Sequence, residues 1–175
     1  CGTTRYLRRT LEGIAAQAHI PTRVVIVDIW TSGRDLGTGD SLQALVTEIG
    51  LDTCCKVRIV QAPGARTFGD AVRQGLELNA QAQQRADKLH ETRTGEIPVI
   101  RDDSSPGWLW LLHDDSAPAP EALDLLLRTA ESGPSIAVAG AKQRDWAQPE
   151  RLVEVGIRAT STARRFNPID DDEID

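Results

Sequence analysis

Residues 111–115 read Leu-Leu-His-Asp-Asp. A short apolar run ends in His113, Asp114 and Asp115, and Pro118 and Pro120 follow. Two adjacent carboxylates repel one another and cost stability unless a cation or a hydrogen-bond donor answers them. Carboxylates are hard oxygen ligands suited to Mg²⁺ or Mn²⁺. Magnesium commonly binds through one or two carboxylates together with substrate phosphates. The pair therefore fits a divalent cation shared with a phosphorylated ligand. The competing reading is a solvated turn in which one acid caps the helix that starts near Pro120. A further acid, Asp28, closes a second apolar run, Val24-Val25-Ile26-Val27.

The elements that must position these acids follow from periodicity. Leu7, Leu11, Ile14, Ala15 and Ala18 recur at helical spacing, so a helix is expected over 4–18, stopped by Pro21. Residues 23–28 are β-branched and read as a buried parallel strand. A polar loop (31–40), a helix (41–49) and a strand (57–60) come next. Phe68, Val72 and Leu76 recur every four residues, which predicts a helix over 67–82. Residues 83–106 are polar, with Gly95, Pro98 and Pro106, and read as a surface excursion. Trp108–Leu112 reads as a third strand. A helix is expected from Pro120 to Glu131, ended by Gly133-Pro134. Residues 136–141 read as a fourth strand and 153–157 as a fifth. This alternation implies the α/β class, with a mostly parallel sheet and helices on both faces. Ligands of such sheets gather beyond the carboxyl ends of the strands, where Asp28 and the acid pair both fall.

The bulk numbers narrow the classes of function. The chain has 175 residues, enough for one domain with a sizeable core. Its formal net charge is −6, but five of the 26 acids fall in residues 170–175 and leave 21 against 20 bases. A nearly neutral body without a Lys/Arg cluster argues against a nucleic-acid surface. Cys1, Cys54 and Cys55 are odd in number and show no CxxC spacing, which fits neither a disulfide framework nor a zinc site. They read as buried or idle thiols of a reducing cytosol. No stretch approaches the roughly 18 apolar residues of a membrane span, and no signal peptide is visible. There is no GxGxxG and no GxxxxGK[ST], so a phosphate ligand falls to metal and side chains. Both ends read as cut, and the expectation is a piece of a larger protein.

In order along the chain stand Thr3-Thr4-Arg5-Tyr6-Leu7, the strand ending in Asp28, Gly64-Ala65-Arg66-Thr67-Phe68-Gly69-Asp70, Leu-Leu-His113-Asp114-Asp115, and Pro120-Glu121-Ala122-Leu123. This set resembles the nucleotide-binding half of a family-2 glycosyltransferase with the GT-A (nucleotide-diphospho-sugar transferase) fold. The resemblance implies a donor-binding core over residues 1–142 and the start of an acceptor-side segment, with an acidic tail, over 143–175. It implies nucleotide binding by Thr3, Asp28, Arg66, Asp70 and Asp114, with Asp28 on the base and Asp114 on the ribose. Asp70 stands where the family usually has Asn. It implies a divalent cation, Mn²⁺ or Mg²⁺, held by Asp115 and His113. His113 occupies a position that is often an acid; it also fits a hydrogen-bond donor to phosphate or a mere spacer. The family's small acidic loop after the second strand is replaced here by Ile29-Trp30-Thr31-Ser32-Gly33, with Asp35 the nearest substitute acid. Trp30 either stacks on the base or packs.

The implied reaction moves a sugar from a nucleotide-diphosphate sugar to a hydroxyl of a glycan, lipid or protein, for a cell-envelope or extracellular glycan. The resemblance places it in the cytoplasm, membrane-associated in the parent protein, with no nucleic-acid partner. No catalytic base is assigned, because Asp170-Asp171-Asp172 read as a solvated acidic loop. Two other readings stand beside it. One is a sugar-phosphate nucleotidyltransferase, for whose Gly-rich loop Gly2-Thr3-Thr4-Arg5 is a weak match. The other is a degenerate nucleotide-binding module without turnover.

Overall fold

A computed structural model describes residues 6–29, 38–94, 107–156, 158–159, 162 and 165–166. Thr3, Trp30, Asp35 and Asp170–Asp172 lie outside the described residues. The chain divides into two units, Cys1–Leu123 and Asp124–Asp175.

The first unit runs α1 (Leu7–Ala15), β1 (Arg23–Asp28), α2 (Thr38–Ile49), α3 (Leu51–Cys54), β2 (Lys56–Gln61) and α4 (Phe68–Thr94). β1 and β2 pair in parallel, with Arg23 opposite Lys56 and Asp28 opposite Gln61. Parallel neighbours need a crossover rather than a tight turn, and α2 with α3 supplies it. Successive strand residues point to opposite faces, which assigns the helices. Val24, Ile26 and Val57 pack with Leu11 and Ile14 of α1, Val46 of α2 and Leu51 of α3. Val27 points the other way, onto Gly75 of α4. Arg58 reaches the same helix, its Nη1 donating to the Asn79 carbonyl at 2.9 Å. Helices thus cover both faces of a parallel pair, as the alternation of elements predicts.

Cys54 and Cys55 are free thiols. Cys55 is half-buried against the core; burial, then the neighbouring Cys54 and Asp52, push its thiol up and keep it protonated.

Four expectations need correction. α4 continues to Thr94, so residues 83–94 are helical and not part of a surface excursion. Their composition explains the miss: Gln, Arg, Ala, Asp, Lys, Leu and Glu are acceptable helix formers but lay down no apolar stripe. Trp108–Leu112 joins no ladder, so among the described residues the parallel sheet has two strands. Its side chains still alternate: Trp110 and Leu112 lie on the core while Leu109 and Leu111 are exposed. Residues 136–141 are not a strand either. That run of small residues leaves Val138 84% exposed and buries too little to hold a partner strand. Of the expected strand over 153–157, residues 153–154 are strand, within an antiparallel pair, 155–156 are not, and Ile157 lies outside the described residues.

The second unit holds most of α5 (Ala122–Glu131) and two short antiparallel pairs. These are β3 (Gln143–Arg144) with β4 (Leu152–Glu154), and β5 (Arg158–Ala159) with β6 (Arg165–Phe166). Asp145 Oδ1 accepts from the N–H groups of Ala147 and Gln148 at 2.7 and 3.0 Å, which shapes the β3–β4 connection. No described helix is long and apolar enough to cross a membrane.

Gly75 gives the fold a test. A Cβ there would strike the branched Val27 side chain, which has no flexible end to move aside. Overpacking of this kind costs about 1–3 kcal/mol, against a helix-propensity gain of about 1 kcal/mol for Gly→Ala. Gly75→Ala is therefore expected to lower stability in urea unfolding. The same change made in a Val27→Ala background is expected to raise it.

Candidate active site

The acid pair is held through α1. Thr10 and Gly13 on one side of that helix, and Gln17 just past its end, meet the chain that follows Leu112. Thr10 is 3% exposed, and its Oγ1 donates to the Asp114 carbonyl at 2.9 Å. Gly13 has no room for a side chain, because a Cβ would lie 2.9 Å from Cδ of Pro118. Gln17, also 3% exposed, donates through Nε2 to the carbonyls of Gly13 at 2.8 Å and Ala119 at 2.7 Å. Its Oε1 accepts from the Leu123 N–H at 2.9 Å. The Ala18 N–H donates to the Pro120 carbonyl at 2.8 Å. One side chain thus serves a carbonyl at the C-terminal end of α1 and an N–H in the first turn of α5. Both groups belong to helix ends that lack internal partners.

Inside this frame His113, Asp114 and Asp115 come together. His113 Nδ1 lies 3.6 Å from Asp114 Oδ1 and 3.8 Å from Asp115 Oδ1. One donor atom from each residue lies within 4.8 Å of the other two. Ligands bonded at about 2.1 Å to one octahedral ion stand roughly 3–4 Å apart, so sub-ångström shifts close these atoms on a single cation. The set fits a divalent ion: two hard carboxylates, one imidazole, and open solvent on the His113 and Asp115 side. Asp114 is the more enclosed acid, its side chain 21% exposed against 61% for Asp115.

Asp28, buried at 6% exposure, ends β1 beside Gln61 at the end of β2. Gln61 Nε2 donates to Asp28 Oδ2 at 3.0 Å, and the Ala62 N–H donates to the Asp28 carbonyl at 2.7 Å. The loop after β2 carries Arg66, exposed and in no ion pair among the described residues. Thr67 Oγ1 accepts the Asp70 N–H at 3.1 Å and caps α4, which sets Asp70 in the first turn. Phe68, the first residue of α4, stacks on His113 with ring centroids 4.7 Å apart and planes 18° from parallel. The structure therefore joins the β2–α4 loop to the His-Asp-Asp motif through Phe68, and joins Asp28 to Gln61. No hydrogen bond or ion pair among the described residues links Arg66 or Asp70 to either group.

Sequence reasoning missed Thr10, Gln17, Gln61 and Phe68. Only Gln61 leaves a signal, since it ends its β run as Asp28 does. Thr10 and Gln17 act across about a hundred residues of chain, and no local pattern reports such a contact.

The sequence profile described as glycosyltransferase like family 2 matches residues 1–171. The chain belongs to that family. With membership come the GT-A type of α/β fold, glycosyltransferase activity, and a nucleotide-sugar donor with an acceptor as partners. No curated protein and no solved structure matches the chain.

Gln17→Leu keeps the volume and removes all three hydrogen bonds, leaving the Leu123 N–H and the Ala119 carbonyl without this partner. Each buried group so stranded costs about 1–3 kcal/mol. The expected loss is roughly 2–4 kcal/mol by urea denaturation, with faster amide exchange at Leu123.

Proposed function

We propose that this domain is a metal-dependent glycosyltransferase using a nucleotide-diphosphate sugar, with Mn²⁺ or Mg²⁺ held by Asp115 and His113. The observation that carries this reading is the meeting of His113, Asp114 and Asp115 on one point in open solvent, beside the loop that follows β2. The imidazole tilts the preference toward Mn²⁺, because Mg²⁺ favours an all-oxygen shell. Asp115 and His113 would hold the divalent cation, which would supply positive charge to stabilise the leaving diphosphate.

The chain's own residues bind and orient. Asp28, tied to Gln61, accepts a hydrogen bond from the base. Asp114, the more enclosed acid, accepts from the ribose hydroxyls. Arg66 and Asp70, with Thr3, complete the nucleotide contacts, Arg66 as a cation toward phosphate. We assign donor binding to residues 1–142 and the acceptor side to 143–175. The free Cys54 and Cys55 support a reducing compartment, the cytoplasm. Family membership supports an acceptor hydroxyl on a cell-envelope or extracellular glycan.

Thermal unfolding tests the reading. A ligand at about 100 times its Kd stabilises by about 2.7 kcal/mol, a shift of several degrees for a domain of this size. UDP or GDP with Mn²⁺ is expected to raise Tm by that order, and either one without metal by much less. Asp115→Ala is expected to abolish the metal-dependent part. No shift with any nucleoside diphosphate and metal would sink the proposal, and a shift with triphosphates alone would favour nucleotidyl transfer.

A further inference from the structure

We propose that Phe68 is a positioning residue for the cation site, its ring holding the His113 imidazole in the plane that turns Nδ1 toward Asp114 and Asp115. The inference rests on the reading of His113 as a ligand, and it adds a residue from a different element. A histidine on an exposed turn has little to fix it. His113 is 57% exposed, and the second torsion of an imidazole is soft and broadly populated. Phe68 supplies the missing restraint. The near-parallel stack at 4.7 Å lies in the range where aromatic pairs attract beyond simple burial. Any swing of the imidazole out of this plane breaks the stack, and it also moves Nδ1 from its 3.6 and 3.8 Å approach to the two carboxylates.

Phe68 is itself fixed. It opens α4 directly after the Thr67 cap, so its backbone is set by the helix start. It is 41% exposed, so the core does not demand a phenyl ring there. The ring sits two residues from Arg66 and two from Asp70. The loop proposed to hold the donor and the motif proposed to hold the cation are therefore linked by one aromatic contact. Any shift of the α4 start is felt at the imidazole.

The test is Mn²⁺ binding to the whole chain without nucleotide. It is read by calorimetry and by paramagnetic broadening of the His113 ring protons, assigned with His113→Gln. In the unmodified protein His113 is expected to broaden at substoichiometric Mn²⁺. Phe68→Leu and Phe68→Met keep an apolar side chain and lose the π face. Each is expected to weaken the Mn²⁺ Kd by roughly tenfold, the low end for loss of an outer support, and to move His113 broadening to correspondingly higher Mn²⁺. Phe68→Tyr is expected to restore both readouts, and the exposure of Phe68 should leave Tm nearly unchanged in all three. Unchanged Kd and broadening in Phe68→Leu, or equal weakening by Leu and Tyr, overturns the inference and leaves the cation reading intact. Absence of His113 broadening in the unmodified protein overturns the ligand reading, and the inference with it.

Discussion

The side-chain amide of Gln17 sits between α1 and the chain that follows the acid pair, and it uses its carbonyl and both N–H bonds there. No other side chain of similar size offers this combination. Glu has no donor, Leu has neither donor nor acceptor, and Asn is a methylene short. With Thr10 holding the Asp114 carbonyl and Gly13 admitting Pro118, the amide completes a seam that crosses a hundred residues of chain. The seam acts on backbone, not on the acid side chains. It leaves the Asp115 side chain exposed to solvent while holding the backbone of the motif. A site that binds a charged ligand needs that division, because carboxylates engaged in structural bonds would lose acceptor capacity for the ligand.

The pair of acids raised an electrostatic problem that the fold partly answers. Phe68 is the first residue of a 27-residue helix and lies against His113, so the positive end of α4 adjoins the motif. The field at a helix N-terminus favours anions, whether side-chain carboxylates or phosphates. The parallel pair contributes in the same sense. Asp28 and Gln61 end neighbouring strands in register. Ligands of parallel sheets gather beyond the carboxyl ends of the strands, which is where Asp28 lies.

How much of this was legible follows from the range of each interaction. β1 was read to the residue, because a β-branched run bounded by Pro21 and a polar loop is a local signal. α5 was read to its last residue for the same reason. The far half of α4 was not, since a helix that is polar all round carries no periodicity. Trp108–Leu112 shows the opposite failure: its side-chain alternation is real, yet Trp110 and Leu112 anchor it by packing while its backbone joins no ladder. Sequence reports which face a segment buries better than which partner its amides find. At the site, His113, Asp114 and Asp115 were visible because they are contiguous. Phe68 was read only as one of three apolar positions on a helix, since a ring that stacks on a residue forty-five positions away looks no different from a core ring.

In the proposed reading His113 stands where this family often has an acid, and the difference has a consequence for charge. Asp115 holds a divalent ion in that reading and Asp114 faces the ribose beside it, so the two carboxylates of the motif already match the charge of that ion. A third carboxylate would leave the site net negative before any diphosphate arrived. Like charges so close repel strongly when water is displaced. An imidazole coordinates as a neutral donor, so it adds a bond without adding charge. It is also a softer ligand than a carboxylate and therefore disfavours Mg²⁺ relative to Mn²⁺. Unlike a carboxylate, it has a flat apolar face that a phenyl ring can cover. In the proposed reading, the exchange of an acid for His113 and the placing of Phe68 beside it belong to one solution: a cation site that stays receptive to phosphate and is steadied by stacking where a third charge would have repelled the ligand.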